Sequence, residues 1–455
     1  MEKTILITIS RGGTARNLLQ TDTYKKLKES GNKLVILTPA YQDKRFLTEF
    51  SAPNVFFENL IEPKWTILDR LLVGLHMALI YNHSIELWDK HGIFTGKEGS
   101  RSRYIIKKII FLPLSKIRVL RNLVKWVDRV LVKDKYYEET FDKYKPDLVF
   151  STSLIEDMDV FVLKQAQERK ISTIGMAKSW DNTSKMSFRV KVDKLIVWSQ
   201  YVKSESLKFQ GYKEKDIIVC GIPQFDFYLQ DELRMGREEF FSLIGADPNK
   251  KLIFFGSAGG KACPNDGEVV EIISKAISNN EIKYNCQVFV RPHFIYSNDE
   301  KRFDYLKDDK NIVLDKDYDC SAVFRDKSDY SDKQIKRLVN ILYHSDILIT
   351  TGSTLNLDAA AFDKPTININ FDGYKERPLR ESVRKWYLSE YLRAVIKQDG
   401  SVLVSNREEL VDAINGYFNN PAIKSEGRER LRNRFCHKLD GKSGERIAEV
   451  VLDGL

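Results

Sequence analysis

The sequence predicts an α/β protein built of two doubly wound domains that face each other across a crevice. Two observations lead there. Short β-branched runs recur along the chain, each followed by a small-residue turn and a helical stretch, which is the pattern of parallel αβ units. The alternation stops once, near residues 230–250, and then restarts, and 455 residues are too many for one ordinary core.

The elements follow in order. Thr4–Ser10 reads as a strand, a Gly-Gly turn and a helix to about Gly31 come next, and Lys33–Thr38 completes an opening βαβ unit. Two helical regions follow. Trp65–Trp88 reads as an ordinary buried helix. Tyr104–Lys133 alternates Ile, Leu and Val with Lys and Arg at helical spacing, holds a single acid (Asp128), and must kink or break at Pro113. Such a basic amphipathic stretch either rests its apolar face on the core or binds an anionic membrane surface. Strands resume at Asp147–Ser151, with a helix over Asp157–Arg169, and continue through Ser172–Met176, Leu195–Trp198 and Ile217–Cys220. The charged stretch Gln230–Lys250 ends in turn residues and marks the join. Beyond it come Leu252–Phe255, Gln287–Arg291, Asn311–Leu314, Asp346–Thr350 and Thr366–Asn370. The first domain is therefore residues 1–235 and the second residues 236–435.

Composition narrows the function classes. Lys and Arg number 73 against 64 acids, a net charge of +9 that is spread along the chain. That balance favours small anions or a membrane surface over nucleic acid. Five cysteines without CxxC spacing argue against a disulfide framework or a zinc site. The chain enters directly as a strand, and no apolar run reaches about 18 residues. The expectation is a cytoplasmic protein, soluble or peripheral on the inner face of the plasma membrane.

In doubly wound domains the turns at the strand carboxyl ends bind ligands. Here those turns hold nearly every chemically suggestive residue. In the first half Arg11, Gly12 and Gly13 form a turn that allows close backbone approach, although it is not GxGxxG. The stretch KSWDNTSK carries Lys178, Trp180, Asp181 and Asn182; Trp180 is a core residue or a substrate platform, and Asp181 a helix cap or a base. In the second half FFGSAGGKA places Gly256, Ser257, Gly259, Gly260 and Lys261 after a strand, a loop suited to phosphate or ribose but not a Walker A sequence. VRPHF ends a strand with Arg291 and His293, donors for phosphate oxygens, unless Arg291 pairs with a structural carboxylate. SDILITTGSTLNLDAAAF reads as a strand over Ile347–Thr350, the turn Thr351-Gly352-Ser353-Thr354 and a helix from Leu355 to Phe362. Backbone N–H groups and hydroxyls at that turn favour an anion, and Ser353 or Thr354 also serves as a helix cap.

Together these features resemble a known group. Two Rossmann-like domains sharing a crevice look like the GT-B fold of nucleotide-sugar glycosyltransferases. The motifs KSWDN (178–182), VCGIPQFDFY (219–228), VRPH (290–293), SDILITTGST (345–354) and DGKSGERIAEVV (440–451) are similar to bacterial surface-polymer enzymes that include the CDP-glycerol glycerophosphotransferases. The resemblance covers most of the chain beyond about residue 145 and before that rests on the fold pattern only.

It implies a nucleotide-diphosphate donor in the second domain, held by Arg291, His293, Ser353 and Thr354, with Gly256, Ser257, Thr351 and Gly352 in the same turns and Asp358 on ribose or sugar. It also implies that residues 436–455 form a C-terminal helix crossing back toward the first domain, with Lys442 adding charge for the donor. The acceptor falls to the first domain, at Arg11, Gly12, Gly13, Lys178, Trp180 and Asn182. The base that deprotonates its hydroxyl is sought among Glu156, Asp157, Asp159 and Asp181, with Asp157 first and Asp181 second. Asp157-Met158-Asp159 matches the letters DxD but lies in the acceptor half, so no metal and no cofactor are expected. One departure counts: the glycerophosphotransferases usually carry a His-Gly-Thr motif in the first half, and this sequence has none. The expectation is a metal-independent glycosyltransferase building a capsule, lipopolysaccharide or related glycan on a glycan or lipid-linked acceptor. A CDP-polyol phosphotransferase and a sugar-nucleotide epimerase of the same fold are the alternatives.

Overall fold

A computed structural model describes residues 2–91, 101–133, 135–260, 262–293 and 299–455. Lys261 and Phe294, named above, lie outside the described residues. The chain divides into two compact units, Met1–Asp226 with Ser321–Tyr330 and His437–Leu455, and Phe227–Cys320 with Ser331–Cys436. Residues 321–330, assigned by the sequence to the second domain, thus fold with the first unit, because Asp326, Ser328 and Tyr330 find their partners there.

The first unit holds a seven-stranded sheet: β1 (Thr4–Thr8), β2 (Lys33–Thr38), β3 (Val55–Asn59), β4 (Leu148–Ser151), β5 (Ser172–Met176), β6 (Lys194–Val197) and β7 (Ile217–Val219), in the order β3-β2-β1-β4-β5-β6-β7. The second holds six strands: β8 (Lys251–Gly256), β9 (Cys286–Arg291), β10 (Ile312–Leu314), β11 (Ile347–Thr350), β12 (Thr366–Ile369) and β13 (Val402–Val404), in the order β10-β9-β8-β11-β12-β13. Every pairing in both sheets is parallel. β1, β4, β11 and β12 are buried at every residue, which is why they read as unbroken apolar runs and not as alternating ones. Strand order reverses between β1 and β4 in one sheet and between β8 and β11 in the other. Those switch points are where doubly wound sheets open a crevice for ligands.

The sequence misses β3 and β13, edge strands of only partial burial. Two stretches expected as single helices are pairs, and a third divides at Pro113 as its sequence predicts. Gly12–Leu19 and Asp22–Glu29 part at Thr21, whose hydroxyl donates back to the carbonyl of Leu18 and competes with the helix. Ile67–Ala78 and His83–His91 part at Asn82, whose side chain caps the second by accepting from the N–H groups of Ser84 and Ile85. Arg101–Leu114 and Arg118–Leu131 part just after Pro113.

Trp65–Trp88 is also not the ordinary buried helix expected. Helix Ile67–Ala78 turns Asp69, Leu72 and His76 inward while Ile67, Leu68, Leu71 and Leu75 are exposed. Its inner face meets that of Arg118–Leu131, which buries Arg121, Val124, Lys125 and Asp128. The charges are paired. The guanidinium of Arg189 donates to both carboxylate oxygens of Asp128 (2.9 and 3.0 Å) and to Asp69 (2.9 Å). Lys164 donates to Asp128 at 2.6 Å and His76 lies 2.9 Å from it. Burial pushes the Asp128 carboxyl up, but His76, Arg189 and Lys164 outweigh it and hold it far below the usual carboxylate range. Asp128 is the common partner of three buried bases, so Asp128→Ala leaves Lys164 and His76 without their carboxylate and Arg189 with only Asp69 and Asp157. The expected cost is about 3–5 kcal/mol, read from urea denaturation midpoints at neutral pH.

Candidate functional site

In the first unit the turn after β1 leads into helix Gly12–Leu19, and the turn after β4 leads into helix Asp157–Glu168. Because β1 and β4 pair at the switch point, Arg11 and the Glu156-Asp157 pair meet there. Glu156 accepts from both Arg11 and Lys178, which follows β5. Burial raises the Glu156 carboxyl, but Lys178 and Arg11 outweigh it, so it stays below its ordinary value and is ionised. Asp157 differs. Its carboxylate accepts from the indole N–H of Trp65 (2.9 Å) and lies 3.4 Å from Arg189. Burial nevertheless prevails over Arg189 and Trp65 and raises its pKa, with neighbouring Glu156 adding to the rise. A cavity of about 310 Å³ opens over this pair, lined among others by Arg11, Glu62, Trp65, Glu156, Asp157 and Arg325.

The other two carboxylates weighed as bases are placed otherwise. Asp159 is wholly buried, accepts from the hydroxyls of Thr8 and Ser151, and is pushed up to about 6 by burial. It fastens the ends of β1 and β4 and has no access to substrate. Asp181 precedes the short helix Asn182–Lys185. Burial raises it, yet Lys185 and hydrogen bonds from Ser179 and Lys185 hold it below the usual value, making it the weaker base.

Four acceptor assignments need correction. Trp180 is 5 % exposed, with its ring 5.0 Å from that of Trp198 and 6.1 Å from that of Phe225, so it is core and not a platform. Asn182 is buried as well, and its amide donates to Asp181. Gly12 and Gly13 do present N–H groups to an anion, but the anion is the chain's own: the Asp326 carboxylate accepts from them at 3.0 and 3.2 Å.

In the second unit the predicted donor residues, Lys442 of the first unit excepted, gather at the switch point between β8 and β11. Gly256 pairs with Thr350 on β11 and with Arg291 on β9, so the turns after three strands share one edge. Much of their polarity is spent internally. The hydroxyls of Ser257 and Thr351 both donate to Asp266, at 2.7 and 2.9 Å. Ser257 also accepts from Arg302, and Asp299 accepts from Arg302 and from the N–H groups of Gly260 and His293. Asp266 is pushed up to about 6 by burial, against the pull of Ser257, Arg302 and Thr351.

Thr354 stands at the N-cap without a side-chain capping bond, and the hydroxyl of Ser353, one residue earlier, accepts from Leu355 N–H at 3.2 Å. Gly352 holds φ +62°, with Trp386 and Leu392 packed where a Cβ would stand. Arg291 donates to Gln334 at 3.0 Å and lies 3.8 Å from Asp315, while burial lowers its pKa. His293 is lowered chiefly by burial, with Asp299 opposing, so its ring is neutral at pH 7. Asp358 is buried and accepts from the Tyr228 hydroxyl. Lys442 belongs to the first unit and is exposed.

Trp65, Arg189, Asp326, Asp266, Asp299 and Arg302 organise these two edges, and the sequence singled out none of them. Trp65, Arg189 and Asp326 find their partners far along the chain, and the nearer pairs, Asp299 with Arg302 and Asp266 with Ser257, match no recognised motif.

A family model described as CDP-glycerol:poly(glycerophosphate) glycerophosphotransferase matches residues 150–453, about two thirds of the chain. No curated protein matches. Among solved structures the chain is similar to the UDP-GlcNAc 2-epimerase of Neisseria meningitidis bound to UDP-GlcNAc (13% identity, all of both chains covered, TM-score 0.54). It is also similar to S. aureus MnaA in complex with UDP (13%, 100% and 98% covered, TM-score 0.52) and to the wall teichoic acid polymerase TagF with CDPG (11%, 99% and 88% covered, TM-score 0.50). At these identities the likeness is one of fold, two parallel α/β domains of the GT-B kind.

The seating of Asp326 on the first helix is testable. A Cβ on Gly12 would collide with the Ser328 carbonyl, so Gly12→Ala is expected to lift residues 321–330 away at a cost of about 1–3 kcal/mol. The expected signature is a lower melting temperature with faster proteolysis confined to that segment.

Proposed function

The chain belongs to the CDP-glycerol:poly(glycerophosphate) glycerophosphotransferase family, and from that premise we propose that it moves a group from a nucleotide-diphosphate donor to a hydroxyl of a growing surface polymer or lipid-linked acceptor. The observation that carries the reading is the grouping of functional side chains at both sheet switch points, a carboxylate of raised pKa at one and a hydroxyl- and guanidinium-bearing edge at the other. In the first unit, Asp157 takes the proton of the attacking hydroxyl, and Trp65 and Arg189 fix its orientation. Arg11 and Lys178, whose two charges Glu156 offsets only in part, bind the polar acceptor beside it. In the second unit, Arg291, the neutral ring of His293 and the Thr351–Thr354 turn receive the charge that develops on the leaving phosphate. The proposal needs neither a metal nor a cofactor. A lipid-linked acceptor would bring the protein from the cytoplasm to the inner face of the plasma membrane.

The transferred group is a sugar in the reading we place first, because the first half carries no His-Gly-Thr sequence. Transfer of glycerol phosphate from CDP-glycerol is the second reading, favoured by the family match. Epimerisation is the third, favoured by the fold likeness, and would yield an altered nucleotide sugar without any acceptor.

Thermal stabilisation by a panel of nucleotide sugars and CDP-glycerol separates these. A nucleotide sugar is expected to raise the melting temperature, whereas a response to CDP-glycerol alone would reject sugar transfer. Arg291→Ala is expected to abolish the response; unchanged affinity would remove Arg291 from the donor site. For Asp157→Asn we expect kcat to fall by about 10²–10⁴ with donor affinity retained. The base works only when deprotonated, and its pKa is raised. The kcat/KM profile is therefore expected to climb with pH through an apparent pKa above the ordinary value of about 3.9 for Asp, and Asp157→Asn to lose that limb. Turnover that persists in EDTA is the expected result for metal-free transfer.

A further inference from the structure

Two packed helices of the first unit are inverted with respect to water. In Arg118–Leu131 the residues at one helical spacing, Arg121, Lys125 and Asp128, are buried. Those at the opposite spacing, Val119 (76 % exposed), Leu123 (50 %), Trp126 (53 %) and Val130, face outward. Ile67–Ala78 repeats the pattern: Asp69 and His76 lie inside, and Ile67, Leu71 (67 % exposed) and Leu75 outside. A helix of a water-exposed surface does the reverse. Burying these charges is costly, and the cost is met in part: Asp69 and Asp128 are ion-paired with Arg189, while Lys125 and Arg121 donate to the carbonyls of Gln210 and Ser115. The fold therefore keeps polar side chains in and leaves the apolar ones out. Ile105, Ile106, Ile109 and Ile110 of helix Arg101–Leu114 extend the exposed apolar character along the chain.

Charge identifies the occupant. Between Pro63 and Asn82 the sole acid is Asp69, and between Ser102 and Lys133 the sole acid is Asp128. Both are buried in the ion cluster, so neither contributes negative charge to the surface. Lys64, Arg70, Lys116 and Lys133 are exposed on the same segments. An apolar face on two helices that expose bases but no acid of their own matches the boundary of an anionic bilayer, where apolar side chains enter the acyl region and Lys and Arg meet phosphate headgroups. Among the described residues no helix is long and apolar enough to cross a membrane, which fits helices lying in the interface.

We infer that the outward faces of Ile67–Ala78 and Arg118–Leu131 form a docking surface for an anionic lipid bilayer. The inference deepens the lipid-linked-acceptor reading but does not depend on which group is transferred. The test is co-sedimentation of the full chain with vesicles of phosphatidylcholine alone and of phosphatidylcholine mixed with phosphatidylglycerol. Binding is expected to the mixed vesicles only, and to weaken as salt is raised. Leu71→Glu with Leu123→Glu is expected to lower partition at least about tenfold while melting temperature and nucleotide stabilisation stay unchanged. Should that pair fail to fold, Ile67→Glu with Val119→Glu serves instead. Equal sedimentation of variant and wild type, or no vesicle binding by the wild type, would overturn the inference. So would a wild-type dimer in gel filtration that the variant dissolves, since the face would then cover a second copy. Retained nucleotide stabilisation in any of these outcomes separates failure of docking from failure of the transferase reading.

Discussion

A parallel sheet covered on both faces can offer chemistry only at its ends, and both units of this protein are built under that constraint. Strands such as β1, β4, β11 and β12 spend every side chain on packing. What is left for function are the turns at the carboxyl edge, and there only the switch point opens a gap wide enough for a ligand. The Arg11, Glu156 and Lys178 group and the Ser257, Arg291 and Thr351 group stand at equivalent places in the two sheets for this reason.

The same constraint decides what the sequence reveals. Buried parallel strands leave an unbroken apolar record, so Lys33–Thr38, Ser172–Met176 and Ile347–Thr350 are legible to the residue. Edge strands β3 and β13, half covered, leave a weaker record and are missed. Turn composition located both candidate edges, but it did not distinguish a side chain that faces a ligand from one that holds the turn. Trp180 illustrates the limit: its position after β5 is right for a platform, and only its packing against Trp198 and Phe225 shows that the ring is already used. Asp266, Asp299 and Asp326 escaped notice for the opposite reason. They sit in unremarkable stretches and act on N–H and hydroxyl groups up to 314 residues away.

The carboxylates show how one functional group is given different tasks. Asp128, ringed by bases, is locked in its ionised form and holds helices together. Asp159 and Asp266, buried among hydroxyls with less cationic help, are raised to about 6 and tie strand ends. Asp157 stands between these cases, with one guanidinium at 3.4 Å and a cavity before it. Arg189 serves Asp69, Asp128 and Asp157 at once, so the residue that lets two helices bury their charges also borders the proposed base.

The division of the chain between its units bears on biosynthesis. The first unit takes residues 321–330 and 437–455 in addition to its first 226. Helix Ser443–Leu452 packs on Asp22–Glu29, and Asp226 accepts from the N–H groups of Ser443 and Gly444. Chains commonly fold domain by domain from the N-terminus as they leave the ribosome. Here the seven strands of the first sheet are complete by Val219, but the seats for Asp326 and for helix Ser443–Leu452 stay open until those segments have been translated.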